Sequence, residues 1–135
     1  MIVSLHVATG ALGGVLAGTR GRALALGPLL HFLGDRVPHQ DIASRRFEIV
    51  SGAAEIVAIA LVRGAADPAV VGALASSLPD VEHVVRLPRP GGRKLFPSHR
   101  IRGWHHAGGL SAGAQLLLAG VVLGVLIGPR RAGRP

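Results

Sequence analysis

The chain carries no cysteine, so a closed thiolate zinc site is excluded, and metal chemistry would have to come from its seven His and seven Asp or Glu residues. Imidazole nitrogens and carboxylate oxygens together suit Zn, Mn, Fe or Mg. Several pairs have the right spacing. His31 and Asp35 stand at i,i+4 and share one face of a helix. Asp80 and His83, at i,i+3, do the same. His6 lies on the helical face that carries Gly10 and Gly14, which points it at a neighbouring helix. His105 and His106 are consecutive, and on a helix they diverge by about 100°, so one of the two turns away from any shared site. Plainer readings stand beside these. His6 reads equally as a core histidine, Asp35 and Asp41 as ion-pair partners of Arg36 and Arg45, and Glu82 as the i,i+4 partner of Arg86. Glu55 either orients a ligand histidine or pairs with Arg63.

The elements that must position these groups are helices. No alternation of the strand type is evident, and punctuation predicts an all-α bundle of about five hydrophobic helices forming a single domain over 1–135. Thr19–Arg22 separates the first two helices and Pro38 ends the second. Ser44 caps a third that starts near Arg45, and Asp67–Pro68 opens the fourth as an N-cap followed by proline at the first helical position. Pro88–Gly92 closes the fourth, and Gly128–Pro129 ends the fifth before the basic tail of Arg130, Arg131 and Arg134. Glycines recur every fourth residue at Gly10, Gly14 and Gly18 and at Gly120, Gly124 and Gly128, offering close packing of the first helix on the fifth. If the five helices alternate in direction, all seven histidines and every carboxylate but Asp67 fall toward one end of the bundle.

Composition suggests where such a bundle resides. Hydrophobic residues make up 49% and charged residues 16%, with mean hydropathy +0.46, which excludes disorder. The formal charge of +8 raises the question of nucleic acid, but only 3% of the residues are aromatic and the basic residues sit between apolar blocks, so nucleic acid is not expected as a partner. Charge confined to short connections points instead to a lipid bilayer. The apolar run Leu110–Gly128 would extend roughly 28 Å as a helix, close to the hydrocarbon thickness of about 30 Å. The expectation is a multi-pass protein, and the bias toward Arg, Ala and Gly suggests a bacterial inner membrane.

The motifs resemble a known group. Leu5-His6-Val7-Ala8-Thr9-Gly10, Leu78-Pro79-Asp80-Val81-Glu82-His83, and His99-Arg100 followed by Gly103-Trp104-His105 resemble the small membrane-bound metal-dependent hydrolases. Those proteins carry an early His-x-x-x-Gly, a Leu-Pro-Asp-x-(Asp/Glu)-His and a His-Arg-Gly-x-x-His element. The segment His31 to His39 is similar to a His-x-x-x-Asp-x-x-Pro-His element of their relatives. More remotely, the set is similar to the all-helical zinc-dependent phospholipases C. The interval from His99 to Gly103 is longer than the compact family form, and His106 stands where the family often has Ser. The resemblance implies metal ligation by His6, His31, Asp35, His39, Asp80, His83, His99 and His105, with one or two divalent ions, zinc first. It also implies hydrolysis of a phosphoester such as a phospholipid headgroup, with Asp80 as a ligand or bridging carboxylate and His105 as a ligand or proton donor. The basic loop with Arg89, Arg93, Lys94, Arg100 and Arg102 would attract the phosphate. A metal-binding or purely structural helical protein without turnover is the rival expectation.

Overall fold

A computed structural model describes residues 1–128, and the basic tail noted above lies outside them. The regular structure of the described residues is helical, with no strand. Five longer helices, α1 (Val3–Ala17), α2 (Arg20–Gly34), α3 (Arg45–Arg63), α4 (Pro68–Ser77) and α7 (Ala112–Ile127), are joined by two short ones, α5 (Val81–Val84) and α6 (Pro97–Arg100). The expected start signals at Ser44 and Asp67 operate, and Thr19 and Ser111 add two caps that were not expected. Thr19, Ser44, Asp67 and Ser111 each accept a backbone N–H from the first turn of the helix they precede, satisfying donors that have no partner within the helix. Helix α1 lacks a side-chain cap of its own. Its first amides are taken by distant residues: Ile2 N–H donates to Gln115 Oε1 at 3.1 Å and Val3 N–H to Glu48 Oε2 at 2.7 Å. Gln115 is fully buried and also donates to the carbonyls of Gln40 and Leu110, so one amide ties α1, α7 and the loop after α2 together.

Two expectations are corrected. The first concerns the membrane. Among the described residues no helix is long and apolar enough to cross one. The run Leu110–Gly128 is not one helix, because Ser111 caps α7 and leaves 16 helical residues, roughly 24 Å at 1.5 Å per residue. Helix α3 has 19 residues, but Arg45, Arg46, Glu48, Glu55 and Arg63 lie along it. A multi-pass arrangement is therefore contradicted.

The second concerns the glycine faces. Helix α1 packs most closely on α4, not on α7. A Cβ on Gly14 would stand 2.0 Å from the Pro68 carbonyl oxygen, and one on Gly72 would stand 2.2 Å from that of Gly10. These backbones touch because no side chain intervenes. Gly120 and Gly124 face open space. Around this contact Val7, Ala11, Ile59, Ala69, Val70, Ala73 and Leu126 form the main core.

The expected fourth helix is also interrupted. It stops at Ser77, passes through a 3-10 turn over Leu78–Asp80 and resumes for four residues as α5. Pro79 has no N–H to continue an α-helical ladder. The break re-aims Asp80, Glu82 and His83.

Glu55, on α3, makes no pair with Arg63, which binds Asp67 at 3.2 Å instead. Burial pushes the Glu55 carboxyl up from 4.5 to about 7, against a lowering by Ser4, and its Oε2 is buried without a partner. A carboxyl whose pKa is raised by folding takes up a proton on folding, so its stabilisation is full below 4.5 and is lost as pH rises through about 7. Denaturant midpoints measured from about pH 5 to pH 8 should fall more in the native protein than in Glu55→Gln, which keeps the shape and cannot ionise. Equal pH profiles would contradict this.

Candidate metal centre

Six segments meet at one end of the bundle. Helix α1 brings His6, the end of α2 brings His31 and Asp35, and the 3-10 turn brings Asp80. Helix α5 brings Glu82 and His83, α6 brings Ser98 and His99, and the loop before α7 brings His105. That loop is pinned to α2, because Trp104 stacks on Phe32 at 4.2 Å and its Nε1–H donates to the Phe32 carbonyl at 2.9 Å.

Asp35 is the hub and is buried. Its Oδ1 lies 3.1 Å from His6 Nε2 and 3.2 Å from the Met1 amine. Its Oδ2 accepts from Ser98 Oγ at 2.5 Å and lies 3.1 Å from His31 Nε2, 3.2 Å from His105 Nε2 and 3.5 Å from His99 Nε2. Burial works to raise its pKa, but the imidazole partners, His105 foremost, outweigh burial and hold the carboxyl far below the usual range. Asp35 stays an anion.

The orientation of two histidines is set from behind. His31 Nδ1–H donates to the Ser76 carbonyl at 2.8 Å, and His99 Nδ1–H donates to Glu82 Oε1 at 2.5 Å. With Nδ1 engaged, each ring turns its Nε2 inward, and the two Nε2 atoms lie 3.3 Å apart. Together with Asp35 Oδ2 these nitrogens form a triangle with edges of 3.1, 3.3 and 3.5 Å. Three ligands at about 2.1 Å from a tetrahedral ion would stand about 3.4 Å apart. The donor set and its spacing fit a divalent ion. Asp80 Oδ1 lies 3.8 Å from His31 Nε2 and 3.6 Å from His99 Nε2, and Asp80 Oδ2 is buried without a partner. Burial raises the Asp80 carboxyl despite the opposing pull of His31 and His99.

Three overlapping groups have metal-compatible spacing: His6, His31 and Asp80; His31, Asp35 and His99; and Asp80, His83 and His99. His6 stacks on His31 at 3.8 Å, and burial lowers its pKa to about 3, offset in part by Asp35. His83 Nε2 lies 3.2 Å from His99 Nδ1, and burial, then His99 and Lys94, lowers its pKa to about 4. Hydrogen bonds to Asp35 and Glu82 raise His99 in spite of its burial.

His39 and His105 belong to none of these groups. His39 is buried nearby, its Nδ1–H donating to the Val37 carbonyl at 2.6 Å and its Nε2 set against the Met1 amine and 3.1 Å from Asp41 Oδ1. His105 reaches Asp35 with a side chain 40% exposed. His106 points away to Arg36, although the tandem lies in a loop and not on a helix. A cavity of about 260 Å³ opens beside the cluster, lined on one side by Asp35, Asp80, His83, His99 and His105 and on the other by Arg45 and Glu48 from the start of α3.

Glu82 departs most from its sequence reading. It is not a solvated partner of Arg86. It is 3% exposed and accepts the Leu95 and Phe96 N–H groups at 2.6 and 3.3 Å as well as His99. These bonds lower its pKa against the effect of burial. The Leu-Pro-Asp-x-(Asp/Glu)-His pattern marked the position, but not the return of the chain through Leu95–His99 that makes it a hub. Ser98 was also missed, and nothing local in its sequence flags it. Outer partners that fix a ligand histidine affect metal affinity by about 10–100-fold. Glu82→Gln should weaken metal binding by about that factor and leave the helical circular-dichroism signal unchanged. Unaltered affinity in a metal titration would show that His99 needs no carboxylate behind it.

Comparison of the chain with protein-family models, characterised proteins and solved structures finds no match, so the functional reading rests on this geometry.

Proposed function

We propose that this protein is a metal-dependent hydrolase of phosphoesters. One observation carries the reading: His31 Nε2, His99 Nε2 and Asp35 Oδ2 converge at 3.1–3.5 Å while the opposite nitrogens of both rings are already committed. Ring nitrogens turned inward on a buried anion require a cation or shared protons between them. Three protein ligands with a further position open is the pattern of catalytic sites, whereas structural sites are closed by four.

A divalent ion held here supplies Lewis acidity toward a phosphoryl oxygen and acidifies water in its coordination sphere. The chain does the rest. Ser76 and Glu82 fix the tautomers of His31 and His99. Ser98 and the surrounding imidazoles keep Asp35 ionised and immobile. Asp80, with its unpartnered Oδ2, would help hold an ion, together with His6 and His31 or with His83 and His99. His105 lies at the cavity mouth with access both to the cluster and to water, the position from which a proton reaches a leaving oxygen.

The test is metal analysis of the purified protein by mass spectrometry, followed by turnover of an activated phosphodiester with and without chelator. Stoichiometric zinc, manganese or iron and chelator-sensitive hydrolysis are expected. Bound metal without hydrolysis of any ester would reduce the protein to a metal-binding bundle, and no bound metal would refute the reading.

A further inference from the structure

Helix α6 works in two directions. Ser98 and His99 point inward, to Asp35 and to the cluster, while Arg100 is exposed on the opposite side. Around that outer side the chain folds a groove of about 750 Å³, lined by Arg93, Lys94, Arg100 and Arg102 together with His99. No carboxylate lines it. Among the described residues none of the four cations makes an ion pair. Lys94 Nζ has His83 Nδ1 at 3.3 Å for company. Concentrated like charge without compensation destabilises a fold, and it is tolerated where an anion balances it. His99 also lines the cavity beside the metal cluster, so the two depressions share one residue.

The charge on the two sides of His99 differs. The cavity side carries Asp35, Asp41, Glu48 and Asp80 against Arg45 and the Met1 amine, so an ester anion gains there from the help of metal. The groove side is cationic by itself. We propose that the groove is a second anion subsite, and that the substrate is a bisphosphorylated compound: one phosphoester lies at the cluster and a second phosphate, a short spacer away, is held by Arg93, Lys94, Arg100 and Arg102. The inference rests on the phosphoester reading of the cluster and narrows it. Guanidinium forks suit phosphate oxygens. The subsite selects the substrate and takes no part in the bond cleavage.

Calorimetric titration with α,ω-alkanediol bisphosphates of increasing chain length, each compared with its monophosphate, tests this in the metal-loaded protein. At one spacer length the bisphosphate should bind about tenfold tighter or more. The advantage should shrink between about 0.05 and 0.5 M salt. It should vanish in Arg100→Gln/Arg102→Gln while metal content holds. These arginines are exposed, so their replacement leaves the fold intact, which circular dichroism verifies. No preference for any bisphosphate, or a preference that survives the double substitution, overturns the proposal. The same titration on metal-free protein separates the two ideas. Groove-dependent phosphate binding there, with no metal bound in any preparation, would sustain the anion subsite and sink the hydrolase reading. Chelator-sensitive hydrolysis with no such preference would do the reverse.

Discussion

Asp35→Asn should lower metal affinity by about two orders of magnitude and take turnover down with it. Structural zinc sites bind with roughly 10–16 kcal/mol over four ligands, so one ligand accounts for about 3 kcal/mol. Asp35 is more than one ligand among several. Its two oxygens contact His6, His31, His99, His105 and Ser98, and Asn keeps the size while removing the charge that aligns them. Breaking a buried charged network by deleting one partner costs about 3–5 kcal/mol, so the variant should also melt early. Metal stoichiometry by mass spectrometry and thermal unfolding read the two effects separately. His106→Ala is the contrast, because that ring faces Arg36 outside the cluster and should leave metal content unchanged. Full metal occupancy in Asp35→Asn would mean that the hub is a proton network with no ligand role.

Gly14→Ala should destabilise the bundle by about 3 kcal/mol, lowering its melting temperature by roughly 10 °C. The added methyl meets the Pro68 carbonyl oxygen at 2.0 Å and the Ala69 Cα at 3.1 Å, which are backbone atoms with no rotamer to change. Relief requires α1 and α4 to separate, and Val7, Ala11, Val70 and Ala73 would lose contact with them. Gly120→Ala in α7 should do the opposite, because its methyl meets nothing within 4 Å and Ala is favoured over Gly in a helix by about 0.5–1 kcal/mol. Comparable melting temperatures for the two variants would show that the α1–α4 contact is looser than the structure has it.

The sequence alone determined the all-helical class and the starts of two helices. Ser44 and Asp67–Pro68 act within a turn of themselves, and local hydrogen bonds need no tertiary partner. It also singled out the residues that gather: His6, His31, Asp35, Asp80, His83, His99 and His105 all lie at one end. Their i,i+3 and i,i+4 spacings and the direction of successive helices are countable along the chain. What it could not decide depends on contacts between distant segments. Hydropathy suggested a bilayer, but mean hydropathy does not register that Ser111 cuts the last apolar run short. Glycine spacing offered two faces and could not say which would meet a partner, since that depends on the surface opposite, and Gly72 of α4 supplied it. Glu82 paired with Arg86 in one dimension. It pairs with His99 in three because Pro79 breaks the helix and the chain returns, and only that return makes a solvent-facing acid into the group that aims a ligand.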